Sequence, residues 1–181
     1  MQTVCTIDIL GLGPSIRDYK DKGNYKIGVN DIDKYHKVDC LVIADHHCAF
    51  SDERLDTVRN TTANTILSQN DEWSYLPGFV QIKLGPSRSD LSCIESDLYP
   101  YSVISPYIAA IHAYKMGAKR IDLYGVDMGD DYIKQILQVK QQCVKDFYEL
   151  RKYLNSRGVE MTVSSYKSLL SGVLPVNQDL I

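Results

Sequence analysis

Val4-Cys5-Thr6-Ile7-Asp8-Ile9-Leu10 runs directly into Gly11-Leu12-Gly13-Pro14-Ser15, and the reading of this stretch decides the fold. An apolar run that ends in two glycines and a proline reads as a buried strand with a sharp turn at its carboxyl end. The turn leaves backbone amides and the Ser15 hydroxyl at the strand tip, where open α/β sheets bind their ligands. Gly11 and Gly13 have no Cβ to hold an anion away from the backbone, so the loop suits a phosphate. The spacing is not the six-residue dinucleotide fingerprint, because no third glycine opens a long helix after Ser15. Taken alone, the loop reads equally well as a tight strand exit without a ligand.

Outward from this loop, strand and helix signals alternate. Tyr25 to Val29 reads as a second strand ending at Asn30-Asp31, and Val38 to Ala44 as a third with Asp45-His46-His47 at its tip. Three successive strands thus end in polar residues that can face one crevice. Asp52 to Arg59 reads as a short helix; Thr61 to Ser68 and Phe79 to Leu84 read as strands around a turn-rich Asn70 to Gly78. Gly85 to Ser105 has no periodicity, and about 20 irregular residues inside a domain point to a functional loop or lid. It opens on Leu84-Gly85-Pro86-Ser87, an echo of Leu12-Gly13-Pro14-Ser15. Chance explains a four-residue echo more readily than a second site loop, in which Arg88 would contact phosphate.

Pro106 at a first helical position, Ser105 as cap and Gly117 as stop define the next helix, with Ile108, Ile111 and Met116 on its apolar face. Ile121 to Val126 is a strand with Asp127 at its tip. Asp130 to Tyr153 holds a 3.6-residue period through Ile133, Ile136, Leu137, Val144, Phe147 and Leu150, and Gly158 closes it. Val159 to Val163 is the last strand, Ser164 to Leu174 a short helix, and the residues after Pro175 a loose tail. The expected fold is α/β: a three-layer, Rossmann-like domain over residues 1–175, mostly parallel, with helices on both faces and a tail of 176–181.

The chain has 181 residues, enough for one full core and too few for two ordinary domains. With 44% hydrophobic and 24% charged residues it has a globular composition, and no apolar run approaches the ~20 residues that span a bilayer, so no membrane partner is expected. A net charge of -3 makes nucleic acid an unfavoured partner. Five scattered cysteines fit buried thiols in a reducing compartment, and no signal-peptide pattern is present at the start, so the expected location is cytoplasmic. Apolar residues around much of the 130–153 helix, including Val139, Cys143 and Tyr148, suggest a homodimer.

Ser105, Ala109, Ala113, Gly117, Lys119, Ile121, Leu123, Gly125, Val126 and Asp127 form a spaced pattern that resembles the bacterial sialyltransferases using a CMP-activated sugar. It is also similar to Rossmann-like enzymes of the archaeal hydroxymethylpterin pyrophosphokinase type. Those proteins begin with a strand and a Gly-x-Gly-Pro-Ser loop, matched by Gly11, Gly13, Pro14 and Ser15, and their second strand ends in an asparagine, matched by Asn30. The resemblance spans Val4 to Val163 in short patches and implies a phage or bacterial protein. It implies that Ser15, Asn30 and Ser105 hold a nucleotide, with Gly125 and Asp127 of the pattern beside them, and that the donor is a CMP- or UDP-linked sugar. Two departures stand out. Leu12 replaces the asparagine between the sialyltransferase glycines, and no histidine follows His112, whereas those enzymes take a catalytic histidine from the region after the Gly-x-Asp strand.

Among residues suited to chemistry, Asp45 and His46 are the candidates for a general base toward an acceptor hydroxyl. Neighbouring strand residues point to opposite faces, so only one of His46 and His47 can easily face the crevice. A zinc site from His46, His47 and Cys48 is disfavoured, because adjacent residues rarely converge on one tetrahedral ion. Asp127, Asp130 and Asp131 could hold magnesium on a diphosphate, although the last two more readily serve the N-terminus of the following helix. His112 reads as a core or interface residue, and Tyr99, Tyr101, Tyr107 and Tyr132 as candidates to stack on a base or bind phosphate. The expectation is therefore a nucleotide-dependent, glycosyltransferase-like transferase. The alternatives are a protein that binds a nucleotide or nucleotide-sugar without turnover, as a sensor or sequestering protein, and a magnesium-dependent pyrophosphokinase.

Overall fold

The computed structural model describes residues 6–128 and 137–177. In chain order the elements are β1 (Thr6–Leu10), β2 (Tyr25–Val29), β3 (Cys40–Val42), α1 (Asp52–Arg59), β4 (Thr65–Ser68), β5 (Phe79–Gln81), β6 (Lys83–Leu84) and β7 (Leu98–Tyr99). They continue with α2 (Ser105–Lys115), β8 (Arg120–Tyr124), α3 (Leu137–Asn155) and β9 (Glu160–Val163). Seven strands form one parallel sheet in the order β5-β4-β3-β2-β1-β8-β9. From β1 the chain steps outward to β5 on one side, then returns to lay β8 against the other side of β1. The strand order therefore reverses between β1 and β8, which opens a crevice at their carboxyl ends.

Strands covered on both faces read as near-continuous apolar runs, and β1 does so apart from the fully buried Asp8. Ile7 and Ile9 join a core with Tyr107, Ile108 and Ile111 of α2 and Phe147, Leu150 and Leu154 of α3. Leu10 points to the opposite face and packs with Ile16, Ile32, Val58, Ile66 and Trp73. The protein is thus a three-layer, Rossmann-like α/β fold with unequal layers. Two helices cover one face, while α1 and the 3-10 turns at Pro14–Asp18, Ile32–Lys34 and Asp71–Trp73 cover the other.

Several segments differ from the sequence expectation, each because of a distant contact. The Phe79 to Leu84 strand breaks at Ile82, whose N–H donates to Ser68, and β6 leaves the main sheet to pair with β7. Gly85 to Ser105 is packed rather than a lid: Cys93, Ile94, Tyr99 and Ser102 are buried, and Lys115 Nζ donates to the carbonyls of Ile94 and Ser96. Arg88 stands 3.7 Å from Asp146 of α3, so the Leu84–Ser87 echo belongs to a different groove from the Gly11 loop. Thr61 to Asn64 is loop, held by Asp33 Oδ2, which accepts from Thr61 Oγ1 at 2.6 Å and the Thr62 N–H at 3.0 Å. Ser164 to Leu174 forms only a 3-10 turn at Leu169–Gly172. Pairing continues past Pro175, because Val176 bridges Val163 in parallel and the Asn177 N–H donates to Val163. Residues 130–136, where the long helix was expected to begin, and 178–181 lie outside the described residues.

His112 sits on α2 with Nδ1 2.8 Å from the Tyr99 hydroxyl, and burial pushes its pKa down to about 4. A histidine whose folded pKa lies below its unfolded value near 6.5 favours the neutral form. Its contribution is complete above pH 6.5 and is lost as pH falls toward 4, amounting to about 3 kcal/mol at about 1.4 kcal/mol per unit. Burial raises the carboxyls of Asp8 and Asp146, which act in the opposite sense. The measurement is therefore a difference. Between pH 7 and 4 the melting temperature of the native chain should fall by several degrees more than that of His112→Gln; equal falls would contradict a buried neutral imidazole.

Candidate functional site

The exits of β1 and β8 are zipped together. The Gly11 N–H donates to Tyr124 at 2.7 Å and the Gly13 N–H to Gly125 at 2.7 Å. Asp127 then holds Ser15 twice: Oδ2 accepts from its backbone N–H at 2.7 Å, and Oδ1 from its hydroxyl at 2.6 Å. The Gly125 N–H donates to Ser15 Oγ at 3.1 Å. A Cβ on Gly11 would lie 2.4 Å from the Gly125 oxygen, and one on Gly13 2.5 Å from Asp127 Oδ2. The glycines are thus required by the opposing strand tip, a reason the sequence did not disclose, whatever the loop also binds.

A second network joins the tips of β2 and β3 to α2. Asn30 is buried with φ of 53°, a left-handed conformation that asparagine tolerates better than most residues. Its Nδ2 donates to Asp45 Oδ2 at 2.9 Å, and its Oδ1 accepts from Ser105 Oγ at 3.0 Å. Ser105 Oγ in turn accepts from the Ala44 N–H at 3.0 Å. Ser105 is therefore not the helix cap: the helix begins at Ser105 itself, with Ile104 at the cap position and no side-chain cap bond. Its hydroxyl instead links β2, β3 and α2, and the first turn of α2 opens on the crevice with its partial positive charge.

Between these networks lies a cavity of about 270 Å³, lined by Gly11 to Pro14, Asp45, Val103 to Pro106, Gly125 to Met128, Val139 and Cys143. Of the sequence-predicted residues it brings together Gly11, Gly13, Pro14, Asp45, Ser105, Gly125 and Asp127; Asn30 is joined to it through Asp45 and Ser105, while Ser15 lines a different cavity. His46 lies elsewhere. Its Nδ1 is 2.7 Å from Glu72 Oε1, its side chain is 67% exposed, and it does not line the cavity. The 3-10 turn His47–Ala49 turns the chain away after Asp45, and Glu72 also accepts the His47 N–H. Tyr99 is hydrogen-bonded to His112, Tyr107 is buried against Phe147, and Tyr101 is exposed beside Arg88. None of the three lines the cavity. Asp130, Asp131 and Tyr132 lie outside the described residues. Val139 and Cys143, expected at a dimer contact, line the cavity, while Tyr148 is exposed.

Sequence reasoning missed the residues that hold the β3 tip. Trp73 Nε1 donates to the Asp45 carbonyl at 3.0 Å, and the Gln69 and Asn70 amides both donate to the Ala44 carbonyl. The one signal for them was the single tryptophan of the chain, set in a turn-rich stretch. Among the described residues no group of three His, Cys, Asp or Glu side chains could hold a metal ion. Asp127 is not part of such a group, and each of its oxygens accepts from Ser15. No helix among the described residues is long and apolar enough to cross a membrane.

No protein-family model matches the chain, and no curated protein matches it in sequence. Solved structures do match in shape. The monofunctional α-2,3-sialyltransferase Cst-I from Campylobacter jejuni superposes with a TM-score of 0.63 at 14% identity, over 99% of this chain and 82% of that one. The sialyltransferase CstII from Campylobacter jejuni, in complex with cytidine-5'-monophosphate, superposes at 0.59 and 14% identity, over 95% and 84%. CST-II in complex with a trisaccharide acceptor and CMP gives 0.60 and 16%, over 97% and 87%. At such identities the likeness concerns the fold alone, and in fold this chain is similar to the sialyltransferases over nearly its whole length.

Proposed function

We propose that the protein is a glycosyltransferase-like enzyme that takes a CMP- or UDP-linked sugar in the crevice between β1 and β8. The observation that carries this reading is the Asn30–Asp45–Ser105 network. Residues from three elements are locked together at the mouth of α2, beside a cavity at the reversal of strand order. The fold shared with sialyltransferases, several of whose structures contain CMP, supports a nucleotide-sugar donor. In this reading the first turn of α2 and the Gly11–Ser15 loop face the phosphate, and Asn30 and Ser105 orient the nucleoside. The acceptor hydroxyl attacks the anomeric carbon, and the bond from that carbon to the phosphate oxygen breaks. The nucleotide leaves with the electron pair, and Asp45 takes the acceptor proton.

Binding without turnover is a second reading, favoured by one observation. With His46 held by Glu72 and Asp127 by Ser15, Asp45 is the one carboxylate of the described lining not held by the Ser15 loop. The pyrophosphokinase alternative draws no support from the structural neighbours.

Thermal unfolding with a nucleotide panel tests the proposal. At a hundredfold excess over Kd, a ligand that binds only the folded state adds about 2.7 kcal/mol, or roughly 5–10 °C for a domain of this size. CMP or a CMP-sugar should give such a shift, or UDP and its sugars. Asn30→Gly, which keeps the left-handed backbone and removes the amide, should abolish it. No shift with either nucleotide family would overturn the assignment. Release of free nucleotide from the bound sugar in the presence of an acceptor, lost in Asp45→Asn, separates the enzyme from the binder.

A further inference from the structure

We propose that the chain carries a second binding pocket, for the phosphate group of a small phosphorylated metabolite, on the sheet face opposite α2 and α3. A cavity of about 620 Å³ opens there beside the ends of β8 and β9. Arg17, Lys20, Lys22 and Lys167 line it, against one carboxylate, Asp18. Arg17, Lys20 and Lys167 make no ion pair among the described residues, although acidic side chains are plentiful on the rest of the surface. Opposite charges on a protein surface usually find one another when nothing else claims them, so unpaired cations around a concavity point to an anionic guest.

The second observation is independent of charge. Tyr124 lines the same cavity at 3% exposure, and its buried hydroxyl has no hydrogen-bond partner among the described residues. Ser164 Oγ, also lining the cavity, is buried and equally unpartnered. Two unsatisfied hydroxyls in one wall are unusual, because buried polar groups are nearly always paired. Neighbouring carboxylates do not supply the partners: Asp8 accepts from Tyr19 and Asn24, and Asp122 from Arg120 and Thr162. Both hydroxyls can donate, as can the guanidinium and ammonium groups, so an acceptor-rich guest that reached this wall would satisfy all of them. A phosphate brings three acceptor oxygens and nearly two charges, whereas a carboxylate brings two oxygens and one charge. The volume beyond a bare phosphate, with Tyr19 and Tyr166 among its walls, fits a sugar-sized remainder. This pocket shares no lining residue with the crevice: Gly13 and Pro14 line the crevice, whereas Ser15, Arg17 and Asp18 of the same turn line this pocket.

Phosphorus NMR titration with glucose 6-phosphate and inorganic phosphate tests the pocket. Glucose 6-phosphate should bind saturably, and at least several-fold more tightly than inorganic phosphate. The double variant Arg17→Gln/Lys167→Gln, both exposed positions, should weaken it tenfold or more with an unchanged melting temperature. Tyr124→Phe should weaken it severalfold through loss of one hydroxyl. Lys83→Gln/Lys119→Gln, a charge-matched change outside the cavity, should leave affinity as it was. The proposal fails if the native chain shows no saturable binding, or if both double variants lose affinity alike, which would mean bulk charge alone. Equal affinity for the two probes overturns the metabolite assignment. None of these results depends on whether a nucleotide binds the crevice.

Discussion

Gly125→Ala is expected to lower the melting temperature by about 10 °C and to remove any stabilisation by nucleotide. Gly125 has φ of 63°, and a Cβ there would stand 2.5 Å from the Gly11 oxygen and 2.8 Å from Ile16 Cβ. The left-handed backbone costs a residue with a side chain about 1–2 kcal/mol. Forcing an atom into packed surroundings adds about 1–3 kcal/mol. Neither neighbour can yield cheaply, because one is backbone and the other anchors the 3-10 turn into the core. At about 2–4 °C per kcal/mol for a domain of this length, the sum gives the stated shift. Gly23→Ala is the control: its φ is 76°, but nothing lies within 4 Å of an added Cβ, so it should cost only the backbone share. Similar melting temperatures for the two variants would mean that the contact between the two strand tips is unimportant.

Trp73→Ala should be comparably damaging, costing about 3–5 kcal/mol as large aromatic truncations in cores do. Trp73 is fully buried, packs edge-on against His47 at 4.0 Å and Phe50 at 5.3 Å, and donates to the Asp45 carbonyl. It joins the core of one sheet face to the carboxylate at the crevice. Trp73→Phe keeps most of the packing and loses the hydrogen bond, so it should cost about 1–3 kcal/mol, largely for the lost indole bond and some packing. Urea unfolding measures both. The mechanistic signature is that nucleotide affinity falls in both variants, because the β3 tip is no longer held. Unchanged affinity in Trp73→Phe would separate Trp73 from the site and leave it a core residue only.

The sequence by itself determined the layered α/β plan. Apolar runs of strand length ending in polar residues, and a helix bounded by Pro106 and Gly117, are local signals whose periods are set by neighbours two to four residues away. Gly117, with φ of 91°, does end α2 within two residues of Lys115. Asn30, Asp45 and Ser105 were legible as strand-tip and helix-start residues, and their meeting in one network needed the parallel order to be known. Tertiary structure alone decided the rest. The partner of Ser15 is 112 residues away in Asp127, and that of Ser105 is 75 residues away in Asn30. The same distance in sequence hid the capture of His46 by Glu72, the anchoring of the 85–105 segment and the grouping of Arg17 with Lys167. Periodicity reports which face a side chain takes, whereas the identity of what meets it there is set by chain reversal, which brings distant strand ends within hydrogen-bonding reach.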